Sequence, residues 1–156
     1  MARPHVWIAG PEDAALVAGL MSDFRAWMGY DQLAGEGIRA AVERLIADPQ
    51  TDYLLAAAQN GAPAAGICQL RYRLSVWTAT DDCWLEDLFV REEERRTGLG
   101  RALVDAAVER ARARGCKRIE LDVDEQDERA LGFYEAMGFT LEPKPPGRNL
   151  FIGRRL

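Results

Sequence analysis

The sequence predicts a single α/β domain, residues 1–156, built on a mixed and mostly antiparallel sheet with flanking helices. Three observations lead there. Apolar residues make up 48% and charged residues 29% of the 156, a globular composition on a chain long enough to bury a core. Two apolar runs, 53–59 and 64–72, flank Asn60-Gly61, the strongest hairpin signal in the chain. Residues 84–123 read strand, helix, strand, which implies a parallel pair with a right-handed crossover.

The elements follow in order. Residues 6–9 form a short apolar strand ended by Gly10-Pro11. Glu12 and Asp13 open a helix with Pro11 in its first turn. Leu16, Leu20, Phe24 and Trp27-Met28 mark its buried stripe, and Gly29-Tyr30-Asp31 ends it. Gly35-Glu36-Gly37 reads as a loop, and residues 38–47 as a helix stopped by Asp48-Pro49. After the hairpin, residues 74–82 read as a connection or frayed strand and 83–90 as the next strand. Leu99, Leu103, Val104, Ala107, Val108 and Ala111 stripe a long helix with Gly115 at its C-cap. Residues 118–123 alternate as a strand. Residues 128–137 form a short helix capped by Gly138. Brief strands at 139–141 and 149–156 flank the rigid loop 143–147.

Composition also narrows function. The net charge of −5 disfavours nucleic acid as the main partner and is compatible with cationic substrates. No apolar run approaches the ~20 residues of a membrane span. The first residues lack the apolar core and cleavage site of a signal peptide, so the expected location is the cytoplasm. Cys68, Cys83 and Cys116 include no CxxC pair, and His5 is the one histidine. No metal is expected, and Ser–His–Asp or Cys–His chemistry lacks a well-placed base.

The segment 83–114 concentrates the chemistry. Its strand carries Glu86 and Asp87, which strand alternation sends to opposite faces. The charged connection 91–96 leads to Thr97-Gly98-Leu99-Gly100, which opens the long helix. A glycine turn feeding a helix N-terminus presents unpaired N–H groups and the positive end of the helix dipole, an anion site. Arg95, Arg96 and Arg101 stand around it. Arg101-Ala102 replaces the Lys-Ser/Thr of a P-loop. The seven residues between Val90 and Gly98, and the missing third glycine near Leu103, exclude a Rossmann turn.

The run Ala130-Leu131-Gly132-Phe133-Tyr134-Glu135-Ala136-Met137-Gly138-Phe139 completes an ordered pattern. A strand with mid-strand acids, Arg-x-x-Gly-x-Gly, helix, strand, then Ala-x-x-Phe-Tyr-Glu-x-x-Gly-Phe resembles the GNAT superfamily of N-acetyltransferases. The resemblance covers residues 53–141. It implies the GNAT-type sheet and acetyl-CoA as cosubstrate. It implies that Arg95, Arg96, Thr97, Gly98, Leu99, Gly100 and Arg101 hold the pyrophosphate. It implies that Leu88, Phe89 and Val90 pair with the pantetheine where a bulge after Glu86-Asp87 splays the strand. A strand N–H near Leu88 would then meet the acyl carbonyl. Ala130, Phe133 and Tyr134 would lie along the cofactor, with Phe133 packing inward and Tyr134 protonating the leaving thiolate.

The strand 85–90 also looks like that of diamine acetyltransferases, where such acids contact substrate and act as base. Glu86 is the first candidate base, with Asp87 as alternative or cation contact. Asp127 stands where the family often has Asn; it suits a helix cap better than a pantetheine amide. Trp27, Tyr30, Tyr72 and Trp77 fall in segments that wall the family's acceptor site. The implied reaction is direct acetyl transfer to a primary amine, with a small or polyamine-like acceptor favoured. A protein lysine or N-terminus is the alternative acceptor. A silent CoA-binding sensor is the alternative of another class. Dimerisation through the last strand is a habit of the family.

Overall fold

The computed structural model describes residues 3–30, 35–141 and 152–156. They form two compact units, Met1–Leu121 and Asp122–Leu156. The first holds a five-stranded sheet in the order β1-β2-β3-β4-β5. The strands are β1 (His5–Ile8), β2 (Thr51–Ala57), β3 (Gly66–Ser75), β4 (Thr80–Val90) and β5 (Ile119–Glu120). Neighbours pair antiparallel except β4 with β5, which are parallel. This is the mixed, mostly antiparallel sheet with a crossover that the pattern predicted.

The helix α1 (Ala14–Trp27) follows a single 3-10 turn, Pro11–Asp13. Asp13 Oδ2 accepts from the Gly10 N–H at 3.0 Å, which secures the entry. Its fully buried residues are Ala14, Val17, Ala18 and Leu20. Leu16 and Phe24 are half-buried, while Trp27 and Met28 are exposed. The seam is thus one residue away from the predicted stripe, because small Ala14 and Ala18 let the helix lie close to the sheet. Helix α2 (Gly35–Ala47) starts earlier than predicted, taking in Gly35-Glu36-Gly37. Packing overrides the ~1 kcal/mol that each helical glycine costs, and Glu36 suits the positive helix end. Asp31 lies outside the described residues.

Strand β2 is buried along its whole length, as a strand covered on both faces must be. The stretch 74–82 is not a loose connection. It closes a second hairpin, with the ladder running out to Ser75↔Thr80 and Ala79 turning at φ +53°. In its second arm the buried Asp82 carboxylate accepts from Arg118 Nη2 at 2.9 Å, a long-range contact invisible in the sequence. Strand β5 is shorter than predicted, Ile119–Glu120 rather than 118–123.

Helix α3 (Leu99–Ala113) packs on the opposite sheet face from α1 and α2 and buries Leu99, Leu103, Val104, Ala107 and Ala111. Gly66 permits the close approach: a Cβ there would lie 3.0 Å from Leu103 Cδ1. Near the helix C-terminus, Arg110 Nε donates to Asp52 Oδ2 at 2.7 Å, and the buried Tyr72 hydroxyl donates to the same oxygen at 2.7 Å. Packing and this ion pair together set the axis along which the α3 N-terminus points.

The second unit contains α4 (Glu128–Ala136). The Asp127 carboxylate caps it, accepting from the Ala130 N–H at 2.9 Å. Gly138 ends it at φ +88°. Residues 139–141 and 152–156 are not strands, contrary to prediction. Among the described residues they find no ladder neighbour, without which a strand's backbone groups stay unpaired. The loop 143–147 and residues 149–151 lie outside the described residues.

Candidate active site

The turn before α3 is built as an anion nest. Arg96 adopts φ +65° and Gly98 φ +92°, two left-handed residues flanking Thr97. Thr97 Oγ1 donates to Glu94 O at 2.6 Å and fixes the approach. The Arg95 N–H goes to Glu92 O, and the first helical donor is the Ala102 N–H, to Gly98 O at 3.0 Å. Between them, the N–H groups of residues 96–101 find no backbone carbonyl among the described residues. That is the unsatisfied fan an oxyanion needs. A Cβ on Gly98 would meet nothing within 4 Å among the described residues.

Arg95 is not aimed into that space. Its Nε donates to Val90 O at 3.0 Å, and its guanidinium lies 4.7 Å over the Trp27 ring and 6.0 Å from the Phe89 ring centroid. Phe24 stacks on Phe89 at 5.2 Å. The side chain therefore braces α1 against the end of β4, which leaves the exposed Arg96 and Arg101 as the cations beside the nest.

Strand β4 provides the second half. Gln69 pairs with Asp87 but Leu70 pairs with Leu85, so Glu86 is the extra residue of a β-bulge. Parallel pairing with β5 ends at Trp84↔Glu120, and no β5 residue stands opposite Leu88, Phe89 or Val90. The Arg91 N–H reaches Ala65 O on the β3 side. Backbone groups alternate along a strand, so those of Leu88 and Val90 face the open side. The bulge lies at Glu86 rather than after Asp87, and the edge groups beyond it are those of Leu88 and Val90, the Val90 carbonyl already accepting from Arg95 Nε.

The bulge also corrects the expected orientation of the acids. Trp84 shares a face with its partner Arg71, and Asp87 with Gln69 and Tyr53. With one residue inserted, Glu86 and Asp87 fall on the same face, that of α1 and α2, rather than on opposite faces. Glu86 is exposed and Asp87 half-buried. The Tyr53 hydroxyl feels both acids: burial pushes its pKa up, Asp87 adds to this, Arg71 opposes it and Glu86 adds again. Tyr53, Gln69 and Arg71 were not singled out from sequence. Their one signal was two polar residues, Gln69 and Arg71, spaced by two in an apolar strand.

The predicted acceptor aromatics scatter. Trp27 lies 6.4 Å from Phe89, two residues from Asp87 on the same face. Tyr30 is exposed just beyond α1. Tyr72 is packed in the core on the α3 face, bonded to Asp52 and stacked 3.8 Å under Arg114. Trp77, 93% exposed, is at the tip of the β3–β4 hairpin, far along the ladder from the bulge. The structure thus gathers Trp27 to the Phe89 end of β4 and leaves Tyr72 and Trp77 elsewhere.

The thiols are poor nucleophiles. Burial, then Cys116, pushes Cys83 up to about 12, and burial raises Cys68 still further and Cys116 as well. In the second unit, Tyr134 contacts Phe133 edge-on at 5.1 Å and Phe139 at 5.5 Å, and both Phe133 and Tyr134 are half-buried. The Asp127 carboxylate is occupied by the Ala130 N–H. Among the described residues, no group of three or more His, Cys, Asp or Glu could hold a metal ion, and no helix is long and apolar enough to cross a membrane.

The acetyltransferase (GNAT) family model matches residues 12–139. The chain belongs to the GNAT acetyltransferase family. It is 32% identical over 97 residues to L-ornithine N5-acetyltransferase NATA1 of Arabidopsis thaliana, covering 62% of this chain and 42% of that protein. It is 32% identical over 78 residues to thialysine N-epsilon-acetyltransferase of Bos taurus, covering 47% and 45%. The matched stretch is thus under half the length of each relative. A crystal structure from Arthrobacter sp. FB24, provisionally assigned as an acetyltransferase, is 33% identical with a TM-score of 0.85, covering 97% of this chain and 96% of its own.

Proposed function

We propose that this GNAT protein transfers an acetyl group from acetyl-CoA to a primary amine on a small molecule, by direct attack. The observation that carries the reading is the combination at one end of β4: a splayed edge at Leu88 and Val90, followed within one connection by the nest at residues 96–101. An extended amide-bearing arm suits the first, and its pyrophosphate suits the second.

The roles follow from chemistry. The nest N–H groups, with Arg96 and Arg101, hold the pyrophosphate, and Arg95 braces the turn from behind. The pantetheine lies along Leu88, Phe89 and Val90, and the family resemblance assigns Ala130 and Phe133 to the same cofactor. The Leu88 N–H donates to the thioester oxygen, where negative charge develops. Glu86, exposed at the bulge, accepts a proton from the ammonium, directly or through water, with Asp87 beside it holding the cation. The freed amine attacks the carbonyl carbon, the C–S bond breaks, and Tyr134 donates its proton to the departing thiolate. Three protonated, buried or half-buried thiols favour this route over a covalent acetyl-cysteine. Two carboxylates on one face favour a cationic small molecule, and the matched relatives are named for ornithine and thialysine. A protein amine is the second acceptor class. A homodimer and a cytoplasmic location complete the reading.

Tyr134→Phe and Glu86→Gln test the assignments. Tyr134→Phe lowers kcat by about 10²–10⁴ with little change in acetyl-CoA affinity; an unchanged kcat removes Tyr134 as the acid. Glu86→Gln changes the pH–rate profile, and an unaltered profile passes the role of base to Asp87 or to water.

A further inference from the structure

Away from the site, the hairpin of β3 and β4 runs out past the rest of the sheet. β2 starts opposite Arg71, and β5 pairs only with Cys83 and Trp84, while the β3–β4 ladder continues to Ser75↔Thr80. The last bonds to neighbouring chain are the Tyr72 N–H to Gln50 O at 2.9 Å and the Cys83 N–H to Arg118 O at 3.0 Å. Backbone groups alternate along a strand, so the next outward-facing groups are those of Leu74 and Asp81. Neither finds a backbone partner on that side among the described residues. Thr80 Oγ1 donates to Thr78 Oγ1 at 3.0 Å, which closes the turn on itself. Leu74, Val76 and Trp77 are left 73%, 85% and 93% exposed. A two-stranded ribbon is marginal in water without further burial. A bare tryptophan beside two aliphatic side chains and an arginine, Arg73, has the composition of an interface.

We infer that this arm, residues 72–80, joins two copies of the chain about a two-fold axis, each Trp77 packing against Leu74 and Val76 of the other copy. Charge selects a second copy as the occupant. The chain carries a net −5, so copies repel over most of their surface. Residues 72–80 contain no acid, and their one charge is Arg73. Arg73 is exposed and makes no ion pair among the described residues, so it can lie over the Trp77 ring of the other copy as a cation–π contact. The area is also that of a dimer. The three side chains present roughly 400 Å² of apolar surface per copy. Covered from both sides, at an apolar share of ~60%, they imply an interface of about 1,300 Å², inside the range of specific, stable contacts. A patch that covers itself about a two-fold axis closes as a dimer and does not propagate. The inference rests on the homodimer of the proposed reading and gives it a surface. Residues 152–156 form no strand, so the contact moves to the arm from the end of the chain.

Sedimentation equilibrium of the full chain, run from submicromolar to high micromolar concentration, tests it. The wild type should pass from one chain mass to two as concentration rises. Trp77→Asp and Leu74→Glu change exposed side chains and leave the core untouched, which far-UV dichroism verifies. Each should raise the dimer Kd by about 30-fold or more, as hot-spot residues do. Ile152→Asp, at an exposed position near the end of the chain, should leave the Kd unchanged. A dimer that both arm variants leave intact, or that Ile152→Asp breaks instead, overturns the inference while the homodimer stands. One chain mass at every concentration overturns both. Binding of that monomer to neutral phosphatidylcholine vesicles, lost in Trp77→Asp, would assign the tip to a lipid surface instead. None of these outcomes bears on acetyl transfer, which thiol release reads separately.

Discussion

Replacing Gly98 by alanine separates the backbone's role in folding from its role in holding an anion. Gly98 caps α3 at φ +92° and ψ 0°, and an added Cβ would meet nothing within 4 Å. The substitution therefore causes no clash, and its cost is the left-handed backbone alone, about 1–2 kcal/mol. A chain of this size loses about 2–4 °C of Tm per kcal/mol, so the expected fall is about 2–8 °C. Gly115, beyond the other end of the same helix, is the control. It has φ +79° and is equally open. Gly115→Ala should lower Tm by a similar amount. The two variants part on ligand binding. At Gly98 any relaxation towards a right-handed conformation scatters the N–H fan. Loss of one charge-assisted hydrogen bond, about 1.5–3 kcal/mol, raises the Kd for CoA by about 10- to 150-fold. Scanning calorimetry gives the stabilities, and isothermal titration with CoA gives the affinities. Equal CoA affinity in the two variants would refute the nest.

Two further predictions concern what holds α3 and the sheet. Asp52→Ala strands the buried Tyr72 hydroxyl and unpairs Arg110, and should cost about 2–4 kcal/mol in urea unfolding. Asp52→Asn, which keeps an acceptor, should cost less; equal costs would argue against the hydrogen-bonded network. Stability should also fall as pH rises above about 9, since Cys83 is held up to about 12 against an ordinary 9.0 and Cys68, Tyr53 and Tyr72 are raised too, each chiefly by burial. The unfolded chain loses these protons first, so the contribution is complete below the unfolded pKa and disappears on going up to the folded value, by at most about 1.4 kcal/mol per pH unit per group. Melts from pH 7.5 to 10.5 should show the fall, and Cys83→Ala should lessen it; a flat profile would mean these groups are less buried than described.

Legibility divides along the range of the interactions. The nest was readable because its causes are local: Gly98 and Gly100 open a helix whose apolar stripe is unbroken from Leu99 to Ala111. The crossover and the Asn60-Gly61 hairpin were readable for the same reason. The orientation of Glu86 and Asp87 was not. It depends on the register with β3, and a one-residue bulge moves both acids to one face. The second hairpin escaped because Asp82 meets its partner Arg118, 36 residues away, only once the fold is assembled. Tyr53 feels the acids and Arg71 from neighbouring strands, across pairings that no spacing in a single strand reveals. The aromatics Tyr72 and Trp77 drew attention by type. The fold uses one in the core and leaves the other at a hairpin tip, whereas Trp27 meets Phe89 and Arg95 through the packing of α1.

The central claim is tested most directly by mixing the protein with acetyl-CoA and following free thiol with and without a panel of amines. The account predicts thiol release that saturates with amine, equals the acetylated amine formed, and shows no burst before amine is added. Tight CoA binding with no thiol release for any amine would contradict it in favour of a sensor. A stoichiometric burst in the absence of amine would contradict direct attack.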